Sequence, residues 1–323
     1  MLANFRKMQP SATEPDVRSR QCPRTEVPDQ GDTMITLKKV LFPTDFSPSA
    51  NLALRHAMQL ADFHRGELIV QHVVSDYFEK HSHWSTLFDI HEFQKYMDCY
   101  VEAEMARFLP TDRKDIEIRP VITKGKPAEE IAALAEKERV DMVVMGSAKG
   151  VTTGKIIRLT NRPVLAFSSA SARREDRTFD RVKRILVATD FSDHSKRVVQ
   201  YAFDLKRVFG ATIYMLYVIE TPKAIEFGIR QGHLTDAMEK MNQWAANQLL
   251  NLTPDEFIDD PTLVRIVESG SPSDRIAEVA DEIGADLTIL GTHEYGLIHT
   301  HLLGTTTDRL LGKTSVPVLA VKL

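Results

Sequence analysis

Val40-Leu41-Phe42-Pro43-Thr44-Asp45-Phe46-Ser47 returns 145 residues later as Ile185-Leu186-Val187-Ala188-Thr189-Asp190-Phe191-Ser192. In both places a short apolar run meets Thr-Asp-Phe-Ser, the pattern of a buried strand, a turn and a helix start. The same stride carries Gly125-Lys126-Pro127 onto Gly270-Ser271-Pro272 and Asp141-Met142-Val143-Val144-Met145-Gly146-Ser147 onto Asp286-Leu287-Thr288-Ile289-Leu290-Gly291-Thr292. Beyond this point the stride becomes 154. Gly150 answers to Gly304, and Arg162-Pro163-Val164-Leu165-Ala166 to Val316-Pro317-Val318-Leu319-Ala320. The chain is one unit written twice, and the second copy holds nine more residues between Gly291 and Gly304.

Around these landmarks apolar strand runs alternate with helical patterns. Strands are expected near 38–42, 67–73, 116–122, 142–145 and 163–167 in the first copy. In the second they are expected at 184–188, 212–218, 262–268, 287–290 and 316–321. Helices are expected at 195–208 behind Ser192 as N-cap, and at 234–252, 272–283 and 305–311. Strands alternating with helices predict an α/β chain of two tandem doubly wound, Rossmann-like domains, each on a five-stranded parallel sheet. The expected domains are 34–168 and 182–323, joined by a polar linker at 169–181. Residues 1–33, rich in Pro, Ser, Thr and charge, are expected to be a disordered tail or an upstream start assigned in error.

A formal net charge of -4 argues against general nucleic-acid binding. No apolar run reaches the ~18 residues of a membrane helix. Cys22 and Cys99 make no disulfide framework, which fits a reducing cytoplasm. P-loop, GxGxxG, GxSxG and HExxH motifs are absent, so no catalytic residue is assigned and any ATP hydrolysis is expected to be slow. His81, His83, His91, His293, His299 and His301 are too loosely spaced for a zinc set and read as loop histidines, so no metal is expected. Trp84, Phe88, Phe93 and Tyr96 read as core or interface packing, in a lid or a helix between the copies.

On these motifs the chain resembles the universal stress proteins, in a tandem form, from about residue 34 to 323. The aspartate after strand one, the glycine-x-proline opening of the third helix and the final Pro-Val strand all match. Nucleotide-binding members carry G-x2-G-x9-G-[ST] after strand four. Copy two keeps that spacing as Gly291-Thr292-His293-Glu294, nine residues, then Gly304-Thr305, with Glu294 at the second glycine position. Copy one passes directly from Lys149 to Gly150, so it is expected to be a degenerate partner without ATP. The resemblance implies a stress-responsive protein binding an adenine nucleotide, ATP with or without Mg2+, and regulating an unidentified protein partner. A ligand-free interaction scaffold and a weak ATPase are the other readings. Family members dimerise through the last strand; here 164–167 and 318–321 are expected to meet within the chain, and a homodimer of whole chains stays open.

The expected contacts in copy two are Ala188, Thr189, Asp190, Val218, Gly291, Thr292, His293, Gly304, Thr305 and Thr306. Amides of Gly304, Thr305 and Thr306 at a helix start would face phosphate oxygens. Adenine would lie against Ala188 and Val218. Asp190 has two expected roles that can coexist, a turn-forming hydrogen bond and a contact to ribose or adenine. The Glu294 carboxylate, repelling a polyphosphate, is expected to weaken affinity or change the ligand.

Overall fold

The repeated apolar runs become adjacent strands of one sheet. In the computed structural model the described residues are 37–75, 90–109, 116–147, 151–168, 182–221, 235–292 and 305–322. The first copy runs β1 (Lys39–Pro43), α1 (Pro48–Phe63), β2 (Glu67–Ser75), α2 (Ile90–Phe108), β3 (Glu117–Gly125), α3 (Pro127–Lys137), β4 (Met142–Ser147), α4 (Val151–Leu159) and β5 (Val164–Ser168). The second runs β6 (Arg184–Ala188), α5 (Asp193–Phe209), β7 (Thr212–Glu220), α6 (Thr235–Asn251), β8 (Leu263–Gly270), α7 (Pro272–Glu282), β9 (Leu287–Gly291), α8 (Thr305–Leu311) and β10 (Val318–Val321).

Strand order is β3-β2-β1-β4-β5-β10-β9-β6-β7-β8 among the described residues. Each half is a five-stranded parallel sheet that winds outward both ways from its first strand, as the sequence predicts. The halves join through an antiparallel β5–β10 pair. The edge strands of the two copies thus cover each other, as expected, which removes two exposed ladders. Helices α1, α2, α5 and α6 contribute to the core on one face of the sheet. Helices α3, α4, α7 and α8 contribute to the core on the other. With both faces covered, strands such as β5 are apolar and buried at nearly every position.

One expectation needs correcting. Tyr96, expected in core or interface packing, is 66% exposed. Helix α2 is amphipathic and turns Val101 and Met105 inward, which leaves Tyr96 and Tyr100 on the opposite side. Trp84 and Phe88 lie outside the described residues, as do His81, His83, His293, His299 and His301.

The first amides of β1 and β6 have no ladder partner of their own on that side, and one aspartate per copy accepts from them. Asp141 Oδ2 accepts from the amides of Lys38 and Lys39 at 2.6 and 2.8 Å. Asp286 Oδ2 accepts from Lys183 and Arg184 at 2.9 and 3.0 Å. Each carboxylate ties the start of the fourth strand to the start of the first, across about 100 residues of chain. Asp286→Ala is therefore expected to cost about 2 kcal/mol in urea unfolding. Asp286→Asn, which keeps an acceptor, is expected to lose less.

Candidate functional site

In each copy Thr-Asp-Phe-Ser forms one turn in which each residue has a separate task. The amide of Phe191 donates to Thr189 Oγ1 at 3.1 Å, and the amide of Ser192 donates to Asp190 Oδ1 at 3.0 Å. Ser192 then caps α5, its hydroxyl accepting from Ser195 N at 3.2 Å. The first copy repeats all three bonds at 3.0, 3.0 and 3.3 Å through Thr44, Asp45 and Ser47. Phe46 and Phe191 sit at φ of 60° and 63°, a left-handed conformation that a phenylalanine rarely takes. The side-chain acceptors on either side hold the turn, and ring packing repays the strain. Phe191 lies 4.3 Å from the Tyr217 ring and 5.4 Å from Trp244; Phe46 stacks at 4.5 Å on His72.

This turn settles the structural half of the Asp190 expectation: the carboxylate makes an Asx turn. Thr189 is equally committed, since its hydroxyl also donates to Ser195 Oγ at 2.9 Å and its amide to Leu216 O at 3.0 Å. Ala188 pairs with Leu216 at the end of β6. Val218, two residues further along β7, extends past that end on the side of Leu216. Ala188, Val218 and Leu290 all belong to the face covered by α7 and α8. Three adjacent strand ends therefore form one small apolar wall beside the Asp190 turn, where doubly wound sheets place ligands; Val218 and Leu290 in it are buried and Ala188 is half-buried.

Gly291 ends β9 next to this wall, and Thr292 follows it. A Cβ on Gly291 would lie 3.2 Å from Val198 Cγ2, so the missing methyl faces α5, on the other side of the sheet. Thr292 is buried, with its amide and hydroxyl both on Val321 O at 3.1 and 3.4 Å. Helix α8 opens at Thr305, with Thr306 half-buried in its first turn. His293, Glu294 and Gly304 lie outside the described residues. Among the described residues no group of three or more His, Cys, Asp or Glu is placed to hold a metal.

Sequence reasoning missed the aromatic cluster of Phe191, Tyr217 and Trp244 on the α5–α6 face. Trp244 is 46% exposed. Burial, and after it the negative charge of nearby Asp190, raises the Tyr217 phenol above its ordinary value. The recurring phenylalanine after each aspartate was the available signal.

The sequence pattern of the Universal stress protein family matches residues 36–167 and again 181–322. A universal stress protein of Methanocaldococcus jannaschii is 29% identical over 153 residues, covering 41% of this chain and 94% of that protein. The stress response protein NhaX of Bacillus subtilis is 26% identical over 168 residues, covering 43% of this chain and 97% of its own. A universal stress protein of Archaeoglobus fulgidus superposes over 89% of this chain and 99% of that one, with a TM-score of 0.56 and 19% identity, a likeness of fold. No helix among the described residues is long and apolar enough to cross a membrane.

Proposed function

The chain belongs to the universal stress protein family, and on that premise we propose that its second copy binds an adenine nucleotide, ATP with or without Mg2+. The supporting observation is the wall of Ala188, Val218 and Leu290 at three neighbouring strand ends beside the Asp190 turn. The wall suits one face of a purine. The Gly291 to Gly304 spacing, followed by α8 from Thr305, suits a phosphate chain on backbone amides. Nucleotide binding then changes the surface that 291–304 offers to a protein partner in the cytoplasm, in response to stress. Copy one has the same turn with nine fewer loop residues and serves as a structural partner. The chain acts as a binding protein, with ATP hydrolysis slow or absent; assembly of whole chains into a homodimer is compatible with this reading.

The scaffold reading draws on a specific observation too: the turn hydrogen bonds of Asp190 are duplicated at Asp45, where the loop is short. The duplication supplies its own control. Asp190→Ala and Asp45→Ala each remove one Asx bond and are expected to cost about 1 kcal/mol of stability. Calorimetric titration with ATP is expected to give one site per chain in the parent and in Asp45→Ala. In Asp190→Ala the affinity is expected to fall about tenfold or more, about 1.4 kcal/mol. Equal ATP affinity in the two variants would exclude Asp190 as a ligand contact, and no heat in the parent favours the scaffold.

A further inference from the structure

Leu165 and Leu319 are one position of the repeat, 154 residues apart, and they face each other in the β5–β10 ladder. Val164 stands opposite Ala320 and Ala166 opposite Val318, so a pseudo-two-fold axis passes between the two leucines. Across such an axis equivalent positions of α4 and α8 meet. Gly154 and Asp308 are an equivalent pair, and a Cβ on Gly154 would collide with Asp308 Oδ1. One helical turn on, the counterpart of Arg158 is Gly312. Arg158 Nη1 donates to Asp308 Oδ2 at 3.3 Å. Copy one thus brings a space and a cation where copy two brings a carboxylate and a glycine. Two further bonds across the junction are also unlike: Lys322 Nζ donates to Arg158 O at 3.2 Å, and Ser168 Oγ to Thr314 O at 2.8 Å.

We propose that the exchange of Gly154 and Arg158 for Asp308 and Gly312 is a pairing code, by which the last-strand face of copy one accepts copy two and each face rejects its own kind. Strand sequences alone do not discriminate, because Val-Leu-Ala stands in both. A chain with two self-pairing faces would link like to like and grow without closing. Pairing of two second copies sets Asp308 against Asp308, with glycine where the guanidinium is needed. Pairing of two first copies sets Gly154 against Gly154 and leaves each Arg158 without its carboxylate. Only the unlike pair fills the space and matches the charge, so the chain closes on itself. This code involves no nucleotide contact and stands apart from the ATP reading.

The test uses full-length variants. Gly154→Asp places two carboxylates face to face at the junction. Amides of 164–168 and 318–321 are expected to exchange with deuterium about tenfold faster than in the parent, and light scattering is expected to detect species larger than the parent's. The quadruple variant Gly154→Asp/Arg158→Gly/Asp308→Gly/Gly312→Arg hands both residues of the code to the other copy, and it is expected to restore the parent's exchange rate and mass. Parent-like exchange in Gly154→Asp, or a quadruple variant that exchanges no more slowly than the single one, overturns the proposal.

Discussion

Gly146→Ala is expected to destabilise the chain by about 3 kcal/mol in urea unfolding, against about 1 kcal/mol for its repeat partner Gly291→Ala. A Cβ at Gly146 would meet the backbone of Ser49 and lie 2.8 Å from the amide nitrogen of Ala50, in the first turn of α1. Backbone cannot rotate aside, so the whole helix start must shift, and with it the Ser47 cap. At Gly291 the nearest obstacle is a methyl of Val198 at 3.2 Å, and the closest helix backbone, Ser195 Cα, is 3.9 Å away. A side chain can repack there for less. Equal losses at the two positions would contradict this account of how each helix seats on its strand end.

Phe203→Ala is expected to cost about 4 kcal/mol, the upper range for a core aromatic. Phe203 is fully buried on α5 and stacks at 5.0 Å and 12° on Phe257. Phe257 closes a 3-10 turn, Asp255–Phe257, and the Lys206 and Arg207 side chains lie over its ring at 5.5 and 5.4 Å. Lys206 is itself buried and bonded to Ala211 O and Asp260, at 3.1 Å each. Removing the Phe203 ring leaves a cavity and withdraws the surface on which this turn rests. Phe203→Leu, which refills most of the volume, is expected to lose about half as much. A loss near 1 kcal/mol for the alanine variant would mean the site collapses freely.

The repeat strides of 145 and 154 carried most of the architecture. Strand runs that alternate with helices announce two parallel doubly wound sheets, while the β5–β10 edge pair was expected from the resemblance, whose members pair through the last strand. Strand limits moved by a residue or two: β10 begins at Val318, because the Val316 amide is taken by Thr314 Oγ1. Side-chain tasks were less legible. Nothing in a phenylalanine announces the left-handed conformation of Phe46 and Phe191, which depends on acceptors two residues before each following amide. Asp141 and Asp286 recur in register, yet their partners lie about 100 residues upstream and appear only when the strands are paired. Gly291 was read for its backbone near a ligand, whereas its missing methyl seats α5. Gly154 and Asp308 carry no signal separately; their meaning depends on the axis that sets them face to face.

Hydrogen–deuterium exchange of the full chain with and without saturating ATP tests the central claim most directly, because the two copies report side by side. Slower exchange is expected at 188–192 and 291–306, with 43–47 and 146–152 unchanged. Protection at neither pair of segments, or equal protection in both copies, would contradict a nucleotide site in the second copy.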